Sequence, residues 1–330
     1  MARALRIQFE GALYHITSRG NEKREIFKDD ADRVRLLDIL ELSLSNYQVL
    51  LYCYILMQNH YHLLVETPHG NISEFMRHFN ITYTSYFNRR HNRVGHLYQG
   101  RFKSLLVDKE SHLGILSRYI HLNPARTEHV VFRPAKHKEK YLKEYPWSSL
   151  PGYIDEAKKS QRIDYSLVLA EYGGDNSEGR MQYWNQICRD IMEGLEVKSK
   201  VVGQSVLGSD GFVQWVKDTY AHRVTSPREV PSVRGILRYQ SRDKILKVIS
   251  RHTDKTDEEI LSEKGPVRQI AMELLFRYGG LKGVEIAEIM NVDYSTVSKE
   301  RKRLRERLKK DVRLRRLVER VESQLSKVKI

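Results

Sequence analysis

Between residues 12 and 122 the apolar pattern switches repeatedly between a two-residue and an about 3.6-residue period, and this limits the fold more than any other feature. Ala12 to Thr17 reads as a short strand. Asp30 to Ser45 has helical spacing in Val34, Leu36, Leu37, Ile39, Leu40 and Leu42. Val49 to Leu56 is apolar on both faces, as a central strand must be. A turn at Gln58-Asn59 leads into a second strand, Tyr61 to Glu66, which Pro68 and Gly70 close. Asn71 to Arg90 is a long amphipathic helix, Tyr98 to Val107 a strand, and Lys109 to Leu122 a helix with Asp108 at its N-cap. The order β-α-β-β-α-β-α predicts a ferredoxin-like α+β sandwich.

At 330 residues the chain exceeds one average domain. Glu144 to about Val201 reads as mostly helical, broken at Pro151-Gly152 and Gly173-Gly174, and Thr225 to Gly235 as a linker. Everything beyond is helical. The division expected is an α+β domain over 1–135, a mostly helical connecting region over 136–235, an all-α domain over 236–310 and a basic tail over 311–330. No apolar run approaches a membrane span, and two cysteines, Cys53 and Cys188, allow neither a disulfide scaffold nor a Cys₄ zinc site. A cytoplasmic protein without a membrane partner is the expectation. The formal net charge of +15 points to a polyanionic partner. Lys299 to Ile330 holds 14 basic against 5 acidic residues, which is nine of those fifteen charges.

The candidate chemistry begins at His60-Tyr61-His62. Alternation puts His60, His62, Leu64 and Glu66 on one strand face, with the two imidazoles about 7 Å apart at Cα. They could converge on a divalent ion or simply be partly exposed strand histidines. Glu66 could orient an imidazole from the same face. On the last helix of the domain, Leu113, Leu116 and Ile120 make the buried stripe. His112, Ile115, Tyr119 and Asn123 form the neighbouring one, and Pro124 ends the helix at Asn123 with its amide available to turn inward. A tyrosine beside a metal-ligating amide is what phosphoryl transfer through a protein nucleophile needs; a packing tyrosine is the alternative.

Taken together, Tyr14-His15-Ile16-Thr17, Arg19-Gly20-Asn21, Met57 to His62, Gly100-Arg101-Phe102, Arg118 to Pro124 and Tyr145 to Ser149 resemble the REP-associated tyrosine transposases, single-tyrosine HUH transposases of insertion sequences, over roughly residues 5–155. The resemblance implies a ferredoxin-like HUH endonuclease acting on single-stranded, hairpin-associated DNA. It implies His60 and His62 as metal ligands with Asn123 third, Mg²⁺ or Mn²⁺ as the ion, and Tyr119 as the nucleophile forming a 5′-phosphotyrosine. Arg19, Arg24, Arg101 and Lys103 are expected phosphate contacts.

In the last third, a helix from Arg268 to Arg277 stops at Gly279-Gly280. Val284 to Met290 follows, then a turn at Asn291-Val292 and a basic helix opened by Asp293, which is helix-turn-helix grammar. Asp293, Tyr294, Ser295, Thr296 and Lys299 would face base edges. Residues 240–310 resemble the C-terminal DNA-binding domain of the replication initiator DnaA, which implies duplex DNA as a second partner. Asp293-Tyr294-Ser295-Thr296 stands where that family has Asp-His-Thr-Thr, so the target sequence differs. Leu304, Leu308, Leu317, Val321 and Leu325 could pack the tail on the body or a partner, or the tail could be a solvated helix. The leading expectation is a metal-dependent tyrosine transposase with a duplex-binding module. The alternatives are a catalytically silent DNA-binding regulator and an RNA-binding protein; monomer and homodimer are both compatible.

Overall fold

A computed structural model describes residues 7–195, 197, 201–203, 205–220, 236 and 239–326. The chain divides into two compact units, one of Arg6–Lys200 with Ser205–Ser209 and one made chiefly of Asp210–Ile330. The Thr225–Gly235 stretch read as a linker lies outside the described residues.

The first unit opens β1 (Ala12–Arg19), α1 (Asp30–Tyr47), β2 (Leu50–Met57), β3 (His60–Thr67), α2 (Ile72–Arg90), β4 (Lys103–Val107), α3 (Lys109–His121). The strands pair antiparallel in the order β2-β3-β1-β4, and Val206–Leu207 joins parallel beyond β4. Side-chain alternation in β3 assigns the helices to faces. Tyr61 stacks edge-on against Phe79 of α2 at 5.6 Å and donates its hydroxyl to Asn80 at 2.6 Å. His62, on the opposite face, meets His15, which meets Tyr119 of α3. With both faces covered, β2 is buried from Leu51 onward and β3 from Tyr61 onward, which is why those runs are nearly continuously apolar.

The predicted strand Tyr98–Val107 is shorter than its apolar pattern suggests. Tyr98 makes only a lone bridge to Gly20. Gly100 then takes φ +73, a left-handed turn that glycine accepts without strain, and pairing resumes at Lys103. The outer edge of β2, a row of unpaired amides that sheets must cover, is closed by Tyr145-Pro146-Trp147-Ser148-Ser149. Leu56 N donates to Trp147 O at 2.8 Å, Ser149 N donates to Tyr54 O at 3.1 Å, and Tyr145 Oη donates to Leu56 O at 2.7 Å.

Among the described residues of this unit, the α-helices that follow are α4 (Ala135–Glu144), α5 (Leu150–Ile154), α6 (Ser166–Ala170) and α7 (Ser177–Glu193). Pro151 does not break α5 but sits in its first turn, where the missing N–H costs nothing. The lysine-rich α4 carries too few apolar residues to announce itself, and only Leu142 is buried.

The second unit contains α8 (Asp210–Thr219), α9 (Arg242–Thr253), α10 (Asp257–Ser262), α11 (Pro266–Arg277), α12 (Gly283–Met290), α13 (Tyr294–Lys310) and α14 (Val312–Ser326). Asn291, left-handed at φ 49, stops α12 three residues before α13 begins. Ile286, Ala287 and Met290 pack with Ile245, Ile249, Ile270 and Leu275 in one core. The tail belongs to that core, since α14 buries Leu314, Val318, Val321 and Leu325 in it and leaves Leu317 partly buried.

Gly20 occupies a place where a side chain cannot fit, because a Cβ there would stand 2.0 Å from the Arg24 carbonyl oxygen and 3.0 Å from Ile26 Cγ2. Backbone offers no easy retreat, unlike a flexible side chain. Gly20→Ala is expected to lower stability by about 1–3 kcal/mol, measured as a fall in urea midpoint at unchanged m-value.

Candidate active site

The β1–β3 register creates the site. Thr17 lies opposite His62 and Arg19 opposite His60, so all four side chains share one face. On the other side of β1, Thr17 also lies opposite Lys103 of β4, placing that cation in the same cross-strand row as His62. The sheet thus brings together His60, His62, Arg19 and Lys103 from the sequence reading.

The imidazoles lie close together. His60 and His62 have ring centroids 5.0 Å apart at 78°, and His62 and His15 are 5.0 Å apart, nearly parallel at 17°. His62 Nδ1 lies 2.7 Å from His15 Nε2 and 3.1 Å from Thr17 Oγ1. His60 Nδ1 lies 2.6 Å from Asn59 Oδ1. An amide oxygen can only accept, so His60 carries its proton on Nδ1 and presents a lone pair at Nε2. Burial, reinforced by the Arg19 cation, holds the His60 pKa down at about 4, so the ring is neutral at pH 7.

Tyr119 reaches the same place from α3. Its ring stands edge-on to His15 at 6.2 Å and is 9% exposed. The Arg126 guanidinium lies over it, 4.6 Å from the centroid, and donates to Leu195 O at 2.6 Å. Asn123 is positioned otherwise than expected. α3 ends at His121, and the Asn123 amide nitrogen donates back to Tyr119 O at 2.9 Å and Ile120 O at 3.1 Å, satisfying two carbonyls that a helix end leaves open. Its nitrogen is thereby spent on the helix, which leaves the amide oxygen as the group's means of ligation.

Other expected residues are placed less centrally. Arg24 is exposed and pairs with Glu22 at 2.7 Å. Arg101 is exposed just past Gln99, whose N–H donates to Arg19 O at 2.8 Å. Glu66 orients no imidazole, because its carboxylate accepts from Tyr52 Oη and from Lys109 Nζ at 2.7 Å. Asp108 holds the N-cap position of α3, but its carboxylate accepts from the Ser111 and Ser209 hydroxyls and caps no backbone amide of the helix. Asp293 likewise stands at the N-cap of α13 without a side-chain capping bond, and Asp293, Tyr294, Ser295 and Lys299 are exposed while Thr296 is half-buried. Among the described residues, no group of three or more His, Cys, Asp or Glu is gathered as a metal site.

His15, Thr17 and Arg126 were not among the expected site residues. For the first two the signal was present, since β1 alternates His15, Thr17 and Arg19 on the face that β3 uses for its histidines. Also unanticipated is a buried polar network on the far side of α3. Arg118 Nε donates to Asp190 Oδ2 at 2.6 Å and NH1 donates to Tyr172 Oη. His121, wholly buried, bonds Tyr183 Oη and Ser149 Oγ, both at 2.8 Å, and Ser117 bonds Tyr183 at 3.0 Å. These bonds tie the tyrosine-bearing helix to α7 and to the segment that caps β2.

Residues 8–123 match the family described as IS200-like transposases. No curated protein matches the chain. A solved structure of a REP-associated tyrosine transposase bound to a REP hairpin aligns over 50% of this chain and 94% of its own, at 14% identity and a TM-score of 0.39. Among the described residues no helix is long and apolar enough to cross a membrane.

Two outcomes follow from the network. Asp190→Ala strands a buried guanidinium and is expected to cost about 3–5 kcal/mol, read as a large drop in Tm. Burial pushes the His121 pKa down to about 3. The unfolded chain, with an ordinary imidazole near pH 6.5, binds the extra proton first, so stability falls as pH drops from about 6.5 towards 3. His121→Gln, which keeps a donor and an acceptor, is expected to flatten that part of the stability–pH curve.

Proposed function

We propose that the chain is a tyrosine transposase that cuts and rejoins single-stranded, hairpin-associated DNA within a ferredoxin-like HUH frame, and that the second unit binds duplex DNA. The observation that carries the reading is the convergence of Tyr119 with a row of neutral and cationic side chains across three strands, inside a domain of IS200-like transposase sequence.

The chemistry assigned to Tyr119 is nucleophilic. Its phenolic oxygen loses its proton and attacks the scissile phosphorus, the bond to the 3′ oxygen breaks, and that oxygen leaves as a 3′-hydroxyl after taking up a proton. The DNA is held as a 5′-phosphotyrosine. Attack by another 3′-hydroxyl reverses the step and joins strands without an added energy source. Arg19 and Lys103 supply positive charge for the strand's phosphates.

The donor set fits a divalent ion, Mg²⁺ or Mn²⁺. His60 offers Nε2 because Asn59 takes its other nitrogen. His62 offers Nε2 when His15 accepts the proton on Nδ1, and Asn123 offers its amide oxygen. When bound, such an ion would polarise a non-bridging phosphate oxygen. The presence of His60, His62, Tyr119 and Asn123 together is why we favour the enzyme over a silent regulator with the same fold.

For the second unit, the reading rests on the exposed N-terminal turn of α13 and on the cations Lys299, Lys302, Arg303 and Arg307 along one face of that helix.

A hairpin oligonucleotide from the flank of the chain's own gene, incubated with Mn²⁺ or Mg²⁺, is expected to yield a free 3′-hydroxyl fragment on a denaturing gel. Tyr119→Phe and His60→Ala should each reduce this at least 100-fold, and EDTA should abolish it; unchanged cleavage in Tyr119→Phe would refute the assignment. For the second unit, Lys299→Ala is expected to weaken duplex binding across sequences and lower the log–log salt slope by about 1.

A further inference from the structure

The segment that follows the tyrosine helix carries the most exposed phenylalanine among the described residues. Phe132 is 93% exposed, yet its backbone is not loose. Thr127 Oγ1 donates to Pro124 O at 2.9 Å, and the amides of Val130 and Val131 both donate to Thr127 O, at 2.9 and 2.8 Å. Arg133 N donates to Val130 O at 2.9 Å, and Val130 is buried. The turn therefore anchors one apolar side chain and holds another out into solvent. Arg133, Lys136 and Lys140 beside it are exposed cations. At its start stands Arg126, already packed on the Tyr119 ring.

We propose that Arg126 and Phe132 form a single-stranded DNA subsite that leads the strand to Tyr119, with Arg133 and Lys136 following its phosphates. The inference rests on the reading of Tyr119 as the nucleophile and names the surface its substrate uses. An aromatic ring held in solvent beside cations suits a partner with unpaired bases and a charged backbone. Stacking on a side chain needs a base face that a duplex conceals, and it tolerates any base because each has a π-face. Arg126 acts on Tyr119 by position. Its planar guanidinium covers one face of the ring, 4.6 Å from the centroid, and so brings a positive charge to the side chain that would carry the phosphodiester.

The test uses the full chain and a labelled single-stranded oligonucleotide of mixed sequence, about 20 nucleotides long. Fluorescence anisotropy is recorded in the presence of excess unlabelled duplex, which occupies the second unit. Phe132→Ala is expected to weaken single-strand binding about tenfold with Tm unchanged, and Phe132→Trp to restore it with quenching of the new tryptophan on binding. Arg126→Ala should slow formation of the covalent adduct at saturating DNA, with Arg126→Lys recovering binding but not rate. Binding by Phe132→Ala and by Arg133→Ala/Lys136→Ala within twofold of wild type would overturn the subsite, as would loss of self-association in Phe132→Ala without loss of DNA affinity. The two ideas fail separately. An adduct that persists in Tyr119→Phe removes the nucleophile assignment and leaves the binding result standing, whereas an adduct lost in Tyr119→Phe but unaffected by Phe132→Ala removes only the subsite.

Discussion

The register of β1 against β3 is the constraint on which the candidate site depends. Side chains alternate with a period of two, so a slip of one residue would carry His60 and His62 to the face that α1 and α2 cover and bring Tyr61 to the face of α3. The register is held by burial on both sides. Tyr61, Leu63 and Val65 are completely buried on one face and Leu64 on the other, and none of them can change places with a histidine without leaving a polar group unpaired. The same register sets Arg19 opposite His60, where its charge helps keep that imidazole neutral. Sheet pairing thus sets the geometry of the site and, with burial, helps keep His60 neutral.

The other half of the site is delivered by a helix buried on nearly every side. α3 packs one stripe on the sheet, presents Tyr119 beside His15, and sinks Ser117, Arg118 and His121 into a polar network with α7. Such networks are expensive to break because each member left alone bears its full desolvation cost. The consequence is a tyrosine whose backbone is fixed from behind, while Asn123 closes the helix end by donating to the carbonyl of Tyr119 itself. Arg126, on the next turn, then reaches back over the ring.

Much of this was legible in the sequence and some was not, for identifiable reasons. The long helices of the first unit show themselves because one buried face leaves a period in the apolar residues, and β2 and β3 because burial on both faces makes them apolar nearly throughout. The histidine pair, Tyr119 and the turn at Gln58-Asn59 follow from that period, as do the helices on either side of Asn291. The shortening of β4 was hidden, since Tyr98 and Leu97 are apolar without being paired in a sheet. α4 was hidden by its lysines. The network around Arg118 has no period at all, because its partners Asp190, Tyr172 and Tyr183 come from distant sequence and are joined only by the fold. His15 lay in plain view within its motif, but its role needs the neighbouring strand, and only pairing shows that it shares a face with His62.

The account stands most directly on which tyrosine becomes linked to DNA, for the chain has 19. The decisive measurement is to trap the adduct on a hairpin oligonucleotide, trim the DNA with nuclease, digest the protein and locate the nucleotide remnant by tandem mass spectrometry. The remnant is predicted on the peptide containing Tyr119 and on no other. A remnant on a different tyrosine, or cleaved DNA with no remnant on any peptide, would contradict the site described above.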